Sequence, residues 1–340
     1  MNIKYTYLII LIFVSVLSSV AQGTHFSQFN TTPIHVNPAN SGNFNGCYRV
    51  NASYRNQWNS VSTPFVTYMI SFDEPVLTKK FTDNRYGIGV LLINDQFSTK
   101  GFNHFTGATA FSTHRYLDYD KIHKISGGIQ LAIVQKSLNL SQFSFLNQYD
   151  KDQGFNLDLP NGEPFRASST FYPDISIGAI YEYLTPSLKK IIVGGSIHHL
   201  LRPKESFLLN SQNRIHQLYN FHASLIYRHS ESTTIRPSLL YMYQSKTQTF
   251  IIGFDIIKGI EYSDHKVKLL LGVWYRNNDA LILSGGLSHK NHMLSIGYDL
   301  NISGLSLVSG YNGGIEFSYR HILKCFPKIP LNFTIPCIRL

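Results

Sequence analysis

The sequence predicts an all-β fold, a transmembrane antiparallel β-barrel of about 14 strands that follows a cleaved signal peptide. Three observations support this fold class. Residues 48–58 alternate between apolar and polar side chains, which is the period-two pattern of a β-strand. The length of this segment matches the roughly 9–11 residues with which a tilted strand crosses a bilayer, and the pattern recurs along the chain. The composition combines few charges with many aromatic residues, as expected for a barrel with a lipid-facing exterior.

The first element is a predicted signal peptide, residues 1–21. Lys4 supplies the positive charge, Leu8–Val16 forms an apolar core, and Ser19–Ala21 supplies the small residues that precede a cleavage site. A membrane anchor is the less favoured alternative, because the apolar core is shorter than the ~20 residues of a spanning helix. We therefore expect the mature chain to start near Gln22, with no membrane helix after it.

Three regions follow the signal peptide. Residues 22–46 are polar and rich in turn signals, and we expect them at the periplasmic mouth or in the lumen. Residues 47–323 form the predicted barrel and 324–340 a periplasmic tail. The two longest connections, 136–170 and 200–218, fall on the same predicted side, as extracellular loops do. Strands are predicted wherever period-two segments are bounded by turn residues, at 48–58, 65–73, 85–94, 102–112, 124–135, 171–183, 190–199, 219–229, 234–244, 249–256, 266–276, 280–288, 292–300 and 313–321. In 102–112 the pattern does not define which face meets lipid.

The composition also limits the function. Charged residues make up 15% of the chain and aromatic residues 14%, whereas soluble proteins have roughly 25% charged residues. The net charge of +10 could indicate nucleic-acid binding, but the Lys and Arg residues are scattered rather than clustered. We therefore expect a basic lumen or rim and no nucleic-acid partner. A secreted soluble sandwich or propeller is the alternative fold, although its strands would be shorter and no blade-length repeat is seen.

The sequence predicts no metal site, no cofactor and no enzymatic activity. The chain has 14 histidines but no HExxH motif and no cysteine pair with ligand spacing. The adjacent His198 and His199 would face opposite sides of a strand. His222 and Ser224 share a face, but neither a nucleophile elbow nor an acidic residue to orient the histidine can be identified. We interpret both as polar residues of the lumen.

The chain has three cysteines, Cys47, Cys325 and Cys337. Cys325 and Cys337 could form a disulfide in an oxidising periplasm. Cys47 would then be a lone thiol at the start of a strand.

Several short strings resemble the PorP/SprF family of the type IX secretion system. None of them is a catalytic signature, and their order and spacing together carry the resemblance, which covers essentially the whole mature chain. Residues 54–58, Tyr-Arg-Asn-Gln-Trp, are the most specific string. The others are His25–Phe29, Asn37–Ala39 with Gly42, Gln148–Asp150, Trp274–Arg276, Ser295–Asp299 and the tail Ile335–Leu340.

The resemblance implies a Gram-negative outer-membrane protein that works with the type IX machinery. This route carries large proteins across the outer membrane and often serves gliding motility. The implied role is non-enzymatic: the barrel would bind the C-terminal domain of a secreted or surface adhesin and contact machinery components in the periplasm. A porin or small-solute channel is the alternative, because a polar lumen suits both functions. An outer-membrane hydrolase is a third and less favoured class.

The candidate partner-binding residues in the barrel wall are charged or polar residues on the predicted lumen face. Arg55 and Gln57 could hold a partner or a plug; alternatively, Arg55 pairs with a lumenal carboxylate and Trp58 is an interfacial anchor. A lysine or arginine facing lipid near mid-membrane costs roughly 2–4 kcal/mol. The register therefore places these charges in the lumen, either as a structural network or as a selectivity surface for an anion or acidic segment: Arg49, Arg55, Asp174, Glu182, Arg228, Arg236, Arg276, Asp299, Glu316 and Arg320.

The long connection 136–170 supplies the other candidates. It carries Phe143, Phe145, Phe155 and Phe165 among polar residues. Loops of this length are usually functional or disordered, and exposed aromatic side chains favour either folding inward as a plug or contact with a partner. We expect this loop to determine specificity.

Overall fold

Fourteen antiparallel strands close into a single barrel, in which each strand pairs with the barrel strands that precede and follow it in the chain. The structure, a computed structural model, describes residues 25–324 except 62, 77–83, 98–100, 152–153, 164, 166–167, 186–188, 209–211, 263–264 and 305. The predicted signal peptide and nearly all of the predicted tail lie outside the described residues. The predicted fold class and strand number are both confirmed.

Each barrel strand has 9 to 16 residues. Two further strands, β6 and β7, form a separate two-stranded sheet in the longest loop. The strands are β1 (Tyr48–Gln57), β2 (Phe65–Val76), β3 (Asn84–Phe97), β4 (Phe102–Tyr116), β5 (His123–Leu138), β6 (Tyr149–Asp150), β7 (Gly154–Phe155), β8 (Ser169–Leu184), β9 (Lys190–His198), β10 (Leu218–Arg228), β11 (Thr233–Gln244), β12 (Thr247–Tyr262), β13 (His265–Arg276), β14 (Ala280–His289), β15 (His292–Asn301) and β16 (Asn312–Leu323).

The first and last strands close the barrel. β1 pairs with β16 over its whole length, from Tyr48 opposite Leu323 to Gln57 opposite Gly314. β5 pairs with β8, because β6 and β7 lie in the loop between them. Closure leaves none of these fourteen strands with an unpaired edge, which is the requirement for backbone groups placed in lipid.

Side chains alternate between lipid and lumen as the pattern of β1 predicts. Arg49, Asn51, Ser53 and Arg55 are buried in the lumen. The structure also resolves the face of β4, where the sequence pattern was ambiguous. Ala108, Ala110, Ser112 and His114 point inward and are buried, and the outward-facing Phe111 is exposed.

The two ends of the barrel differ in their connections. The loop end carries the two longest ones, 139–168 and 199–217, and the turn end carries the start of β1, the end of β16 and short turns such as Lys290–Asn291. Aromatic rings lie near both ends: Tyr48 stacks on Phe72 at a centroid distance of 5.8 Å at the turn end, and Trp58 meets Phe65 at 5.6 Å at the loop end. Aromatic side chains at both ends are typical of membrane barrels, where they mark the two lipid–water interfaces.

Residues 25–46 lie inside the lumen, and we call this segment the plug. It contains three single-turn helices, Phe29–Thr31, Pro33–Val36 and Pro38–Asn40. The last two begin with proline, whose fixed φ and missing N–H suit the first helical position. In the part of the chain that the structure describes, no helix has the length and hydrophobicity needed to span a membrane.

Candidate functional site

The plug packs against the barrel wall through two apolar clusters. Phe26 and Ile34 of the plug are buried in the first cluster, which includes Met69 and Leu91 of the wall. Phe29 and Val36 are buried in the second, where the ring of Phe29 meets Trp274 edge-on at 5.3 Å. Since each buried large apolar side chain contributes about 1.5–3 kcal/mol, these contacts favour a plug that stays in place.

Inward-facing glycines make room for the plug. A Cβ atom added to Gly128 of β5 would lie 2.5 Å from the backbone nitrogen of Ala39, and one on Gly178 of β8 would lie 2.1 Å from Oδ1 of Asn37. A Cβ on Gly87 of β3 would lie 2.1 Å from the carbonyl oxygen of Ser41. Any residue with a Cβ at these three positions would clash with the plug. Only glycine therefore lets the plug come this close to the three strands.

The wall binds main-chain groups at the first residues of the plug. Glu316 of β16 accepts hydrogen bonds from the backbone N–H groups of Ser27 (2.8 Å) and Gln28 (3.0 Å). Arg55 of β1 donates to the carbonyl oxygen of His25 at 2.8 Å. A carboxylate that accepts two N–H groups and an arginine that donates to a carbonyl hold this part of the chain in a fixed orientation.

A buried charge cluster surrounds these contacts near the loop end. Asp299 of β15 accepts hydrogen bonds from Nη2 of Arg276 at 2.7 Å and Nη2 of Arg55 at 3.1 Å. Ser27 of the plug joins the cluster, because its hydroxyl donates to Asp299 at 2.8 Å and accepts from Arg276 at 3.0 Å. Nη1 of Arg55 also lies 3.8 Å from Glu316. The charges are only 2–3% exposed, so loss of one partner would leave an uncompensated buried charge, at a cost of roughly 3–5 kcal/mol.

The middle of the plug is held by polar side chains of β9 and β10. The carbonyl oxygen of Val36 accepts from Ser196 at 2.7 Å and from Asn220 at 3.1 Å. The side-chain amide of Asn37 donates to the carbonyl oxygens of Ala179 (3.1 Å) and Gly195 (3.0 Å). Because these groups belong to three different strands, the middle of the plug bridges the wall across β8, β9 and β10.

The end of the plug is bound near the turn end. Asp73 of β2 accepts from the backbone N–H of Gly42 at 2.7 Å and pairs with Arg49 of β1 at 2.8 Å. Arg49 also donates to the carbonyl oxygen of Asn40 at 3.0 Å. One buried ion pair thus holds both a donor and an acceptor of the plug backbone.

A second ionic group lies at the same end. Glu182 of β8 pairs with Lys124 of β5 at 3.0 Å and Lys190 of β9 at 2.6 Å, and it accepts from Asn43 of the plug at 2.6 Å. This arrangement places two lysines around one carboxylate at the turn end of the lumen.

Three of the residues predicted to bind a partner contact both the plug and the wall. Arg49, Arg55 and Arg276 are 6%, 3% and 2% exposed, and each of them binds a carboxylate of the wall and a group of the plug. For Arg55 both interpretations apply, because it pairs with carboxylates and also holds the plug. Gln57 lies half-buried at the end of β1, and Trp58 is half-buried at the loop-end ring of aromatic side chains.

The predicted lumen register is confirmed for most of the charged residues. Glu316 and Arg320 of β16 have partners on the neighbouring β1, where Glu316 lies beside Arg55 and Arg320 donates to Asn51 at 3.0 Å. Arg228 keeps the same alternation as the buried Asn220 and His222, and it is exposed because it is the last residue of β10 at the turn end.

The long loop is organised around its own aromatic side chains. Phe145 meets Phe165 edge-on at 5.7 Å, and Phe155 meets Tyr149 at 5.1 Å across the β6–β7 sheet. Phe143 is half-buried, whereas Phe155 is 55% exposed. A bridge between Phe165 and Leu208 joins this loop to the second long loop. The segment that fills the lumen is the plug, and the loop keeps an exposed aromatic surface.

One expectation about the cysteines is wrong. Cys47 is disulfide-bonded and therefore is not a lone thiol. Its backbone N–H donates to the carbonyl oxygen of Leu323 at 2.7 Å, next to the last residues of β16. The predicted pairing of Cys325 with Cys337 falls on residues outside the described part of the chain.

The histidines that invited a metal or catalytic interpretation bind the plug or the wall. His198 lies 3.1 Å from Ser196, and His199 lies 2.8 Å from Asp174. Nε2 of His222 lies 3.2 Å from the amide of Asn37 in the plug. Among the described residues, no group of three or more side chains is arranged to hold a metal ion.

Sequence reasoning found the wall residues of the site but not the residues of the plug that they bind. Ser27 and Asn37 belong to strings that we used only for family resemblance. A local signal existed in the inward-facing Gly87, Gly128 and Gly178, since glycine within a strand often marks a close approach of another backbone.

Comparisons with known proteins bear on both family and fold. A family model described as type IX secretion system membrane protein PorP/SprF matches residues 18–319. No curated protein sequence matches the chain.

Among solved structures, the toluene transporter TbuX of Ralstonia pickettii is similar, with a TM-score of 0.51, 10% sequence identity and coverage of 89% of this chain and 96% of that chain. A deltaS2 mutant of the TodX monoaromatic hydrocarbon channel is also similar, with a TM-score of 0.51, 8% identity and coverage of 87% and 94%. At such low identities the likeness concerns the fold alone.

Proposed function

The chain belongs to the PorP/SprF family of type IX secretion system membrane proteins, and from this premise we propose that it is a non-enzymatic adaptor of the outer membrane. In this role it binds a secreted partner, such as the C-terminal domain of a gliding adhesin, and helps to secrete that partner or to attach it to the cell surface. At its periplasmic end it contacts components of the secretion machinery.

The observation that carries the proposal is the occupied lumen. The plug is fixed by two apolar clusters, by a buried charge cluster and by close approaches to wall glycines. A conduit needs a continuous open path, whereas an adaptor needs a rigid body with binding surfaces at its two ends. The plugged barrel suits the second requirement.

The exposed aromatic surface of the long loop supports a partner at the loop end. Phe155, Tyr149 and Leu157 are more than half exposed there. Exposed apolar patches of this kind are typical of protein-interaction sites. The loops of outer-membrane barrels that are longer face the outside, so this surface is positioned for a partner that is held at the cell surface.

A porin or small-solute channel is the competing function. It requires that the plug leave the lumen or rearrange within it. The likeness to hydrocarbon channels does not favour this function, because it concerns the fold alone.

A plug that is cross-linked to the wall distinguishes the adaptor function from the channel function. The hydroxyl oxygens of Thr31 in the plug and Ser318 in β16 lie 3.2 Å apart, so the double substitution Thr31→Cys/Ser318→Cys places two thiols within reach of a disulfide. The matched control is Ser53→Cys/Ser318→Cys, whose hydroxyl oxygens lie 3.3 Å apart and which joins β1 to β16 without holding the plug.

We expect that the wild-type protein forms no stable open pore in planar bilayers and that the oxidised Thr31→Cys/Ser318→Cys variant still supports surface attachment of secreted proteins. Steady wild-type conductance that disappears in this variant, but persists in the Ser53→Cys/Ser318→Cys control, would instead establish a channel. The adaptor role also fails if deletion of the gene leaves every surface protein in place.

A further inference from the structure

The plug runs through the lumen in one direction. Its first described residues contact groups near the loop end, namely Arg55, Arg276 and Asp299, each within three residues of the loop-end terminus of its strand. Its middle residue Asn37 contacts the interior of β8 and β9.

The last residues of the plug complete this path at the opposite end. Gly42 bonds to Asp73, which lies three residues before the turn-end terminus of β2. Asn43 bonds to Lys124 and Glu182, which lie close to the turn ends of β5 and β8. From there the chain enters β1 directly.

The exposure of the first plug residues agrees with this direction. His25 is half-buried, whereas the next four residues, Phe26–Phe29, are all buried. Burial thus decreases at the amino-terminal end of the described plug, at the level of the loop-end charge cluster.

We infer that the plug is threaded with its amino-terminal end, His25, toward the cell surface. The inference depends on the direction of the plug and on the outward orientation of the longer loops. It places the first described residues of the plug at the end of the barrel that an external partner meets, and only this last consequence rests on the proposed adaptor function.

The reversed direction would conflict with the observed contacts. It would require His25 and Ser27 to exchange places with Asn43 and Gly42 along a wall whose binding groups differ at the two ends. The loop-end site offers the carboxylates Asp299 and Glu316 to one hydroxyl and two N–H groups. The turn-end site offers one ion pair to a single N–H and a single carbonyl oxygen.

Labelling of single introduced cysteines on intact cells tests the threading. The test variant is His25→Cys, and Asn45→Cys reports on the opposite end of the plug, where Asn45 is exposed. Leu146→Cys, at a position that is 85% exposed in the long loop, is the reference for the outer surface. The wild-type chain, which carries the native cysteines alone, gives the background for a membrane-impermeant maleimide.

We expect His25→Cys and Leu146→Cys to react on intact cells and Asn45→Cys to react only after the outer membrane is permeabilised. The opposite pattern for His25→Cys and Asn45→Cys would show that the plug is threaded the other way. Reaction of Leu146→Cys only after permeabilisation would show that the loop end faces the periplasm. Either result overturns the inference.

Asn45→Cys and Leu146→Cys keep the test decisive if His25→Cys is too shielded to react, because both positions are exposed. Since His25 lies at the loop end of the plug and Asn45 at the turn end, reaction of Leu146→Cys on intact cells together with reaction of Asn45→Cys only after permeabilisation supports the inference. Reaction of Asn45→Cys on intact cells overturns it. These readouts do not involve a partner, so they are independent of the adaptor test.

Discussion

At the scale of single residues, glycines of the wall leave space for the plug, and charged side chains of the wall bind it. The contrast between neighbouring glycines illustrates this. Gly128 faces the lumen and touches the backbone of Ala39, whereas the preceding Gly127 has nothing within 4 Å of an added Cβ. The two residues have the same backbone freedom, so a difference between their substitutions would come from the plug contact alone.

Substitution of this inward-facing glycine should displace the plug. In Gly128→Val the new side chain would overlap the plug backbone, and overpacking of this kind costs about 1–3 kcal/mol. We expect faster proteolysis within residues 25–46 and a lower unfolding temperature in detergent. The control Gly127→Val should match the wild type in both measurements. Equal behaviour of the two variants would mean that the plug does not depend on this contact.

At the scale of elements, the plug lies in the lumen, whereas the long loop has an exposed aromatic surface at the loop end. The plug is held by wall groups from strands all around the barrel, among them β2, β5, β8, β10 and β16. The described residues of the long loop are joined to neighbouring connections, by the bridge between Phe165 and Leu208 and by the N–H of Asn139, which donates to the carbonyl oxygen of Gly101. An element with many buried contacts contributes to stability, and one with an exposed apolar surface is available for binding.

The loop should therefore tolerate a substitution that impairs partner attachment. We expect Phe155→Ser to change the free energy of unfolding by less than about 0.5 kcal/mol, as surface substitutions usually do, and to reduce the amount of adhesin retained on the cell surface. Leu307→Ser is the matched control, because Leu307 is 82% exposed in a different connection at the same end. Full retention with Phe155→Ser would remove this loop from the partner site.

At the scale of the whole molecule, the barrel is closed by β1 and β16, the strands most distant in sequence. The disulfide of Cys47 lies at this junction, where its N–H bonds to Leu323. A covalent link there would restrict the unfolded chain over almost the full length of the barrel. The entropic stabilisation from a disulfide increases with the length of the loop that it closes.

Disulfide mapping checks this closure. With three cysteines, a bonded Cys47 leaves one thiol in the chain, and we expect Cys325 as its partner because it follows Leu323 by two residues. Cys47→Ser should then lower the free energy of unfolding by roughly 2–4 kcal/mol, measured by denaturant titration in detergent. Cys337→Ser should leave it unchanged. Finding Cys325 bonded to Cys337, with Cys47 reactive before reduction, would contradict the expectation.

The order of residues is enough to predict the barrel, its number of strands and which side chains of most strands face the lumen. These features follow from local periodicity, because a lipid exterior and a polar interior impose the same alternation on every strand. Thus the inward orientation of Arg55, Arg276 and Glu316 could be predicted without coordinates.

The tertiary structure alone decided what fills the lumen and what these charges bind. Ser27 and Asp299 meet although they are 272 residues apart, and no periodic pattern relates a plug without regular strands to the wall around it. Many of the hydrogen bonds from the wall go to backbone groups of the plug, which every sequence has. For that physical reason the occupant of the lumen, its direction and the state of Cys47 became visible only when the chain was folded.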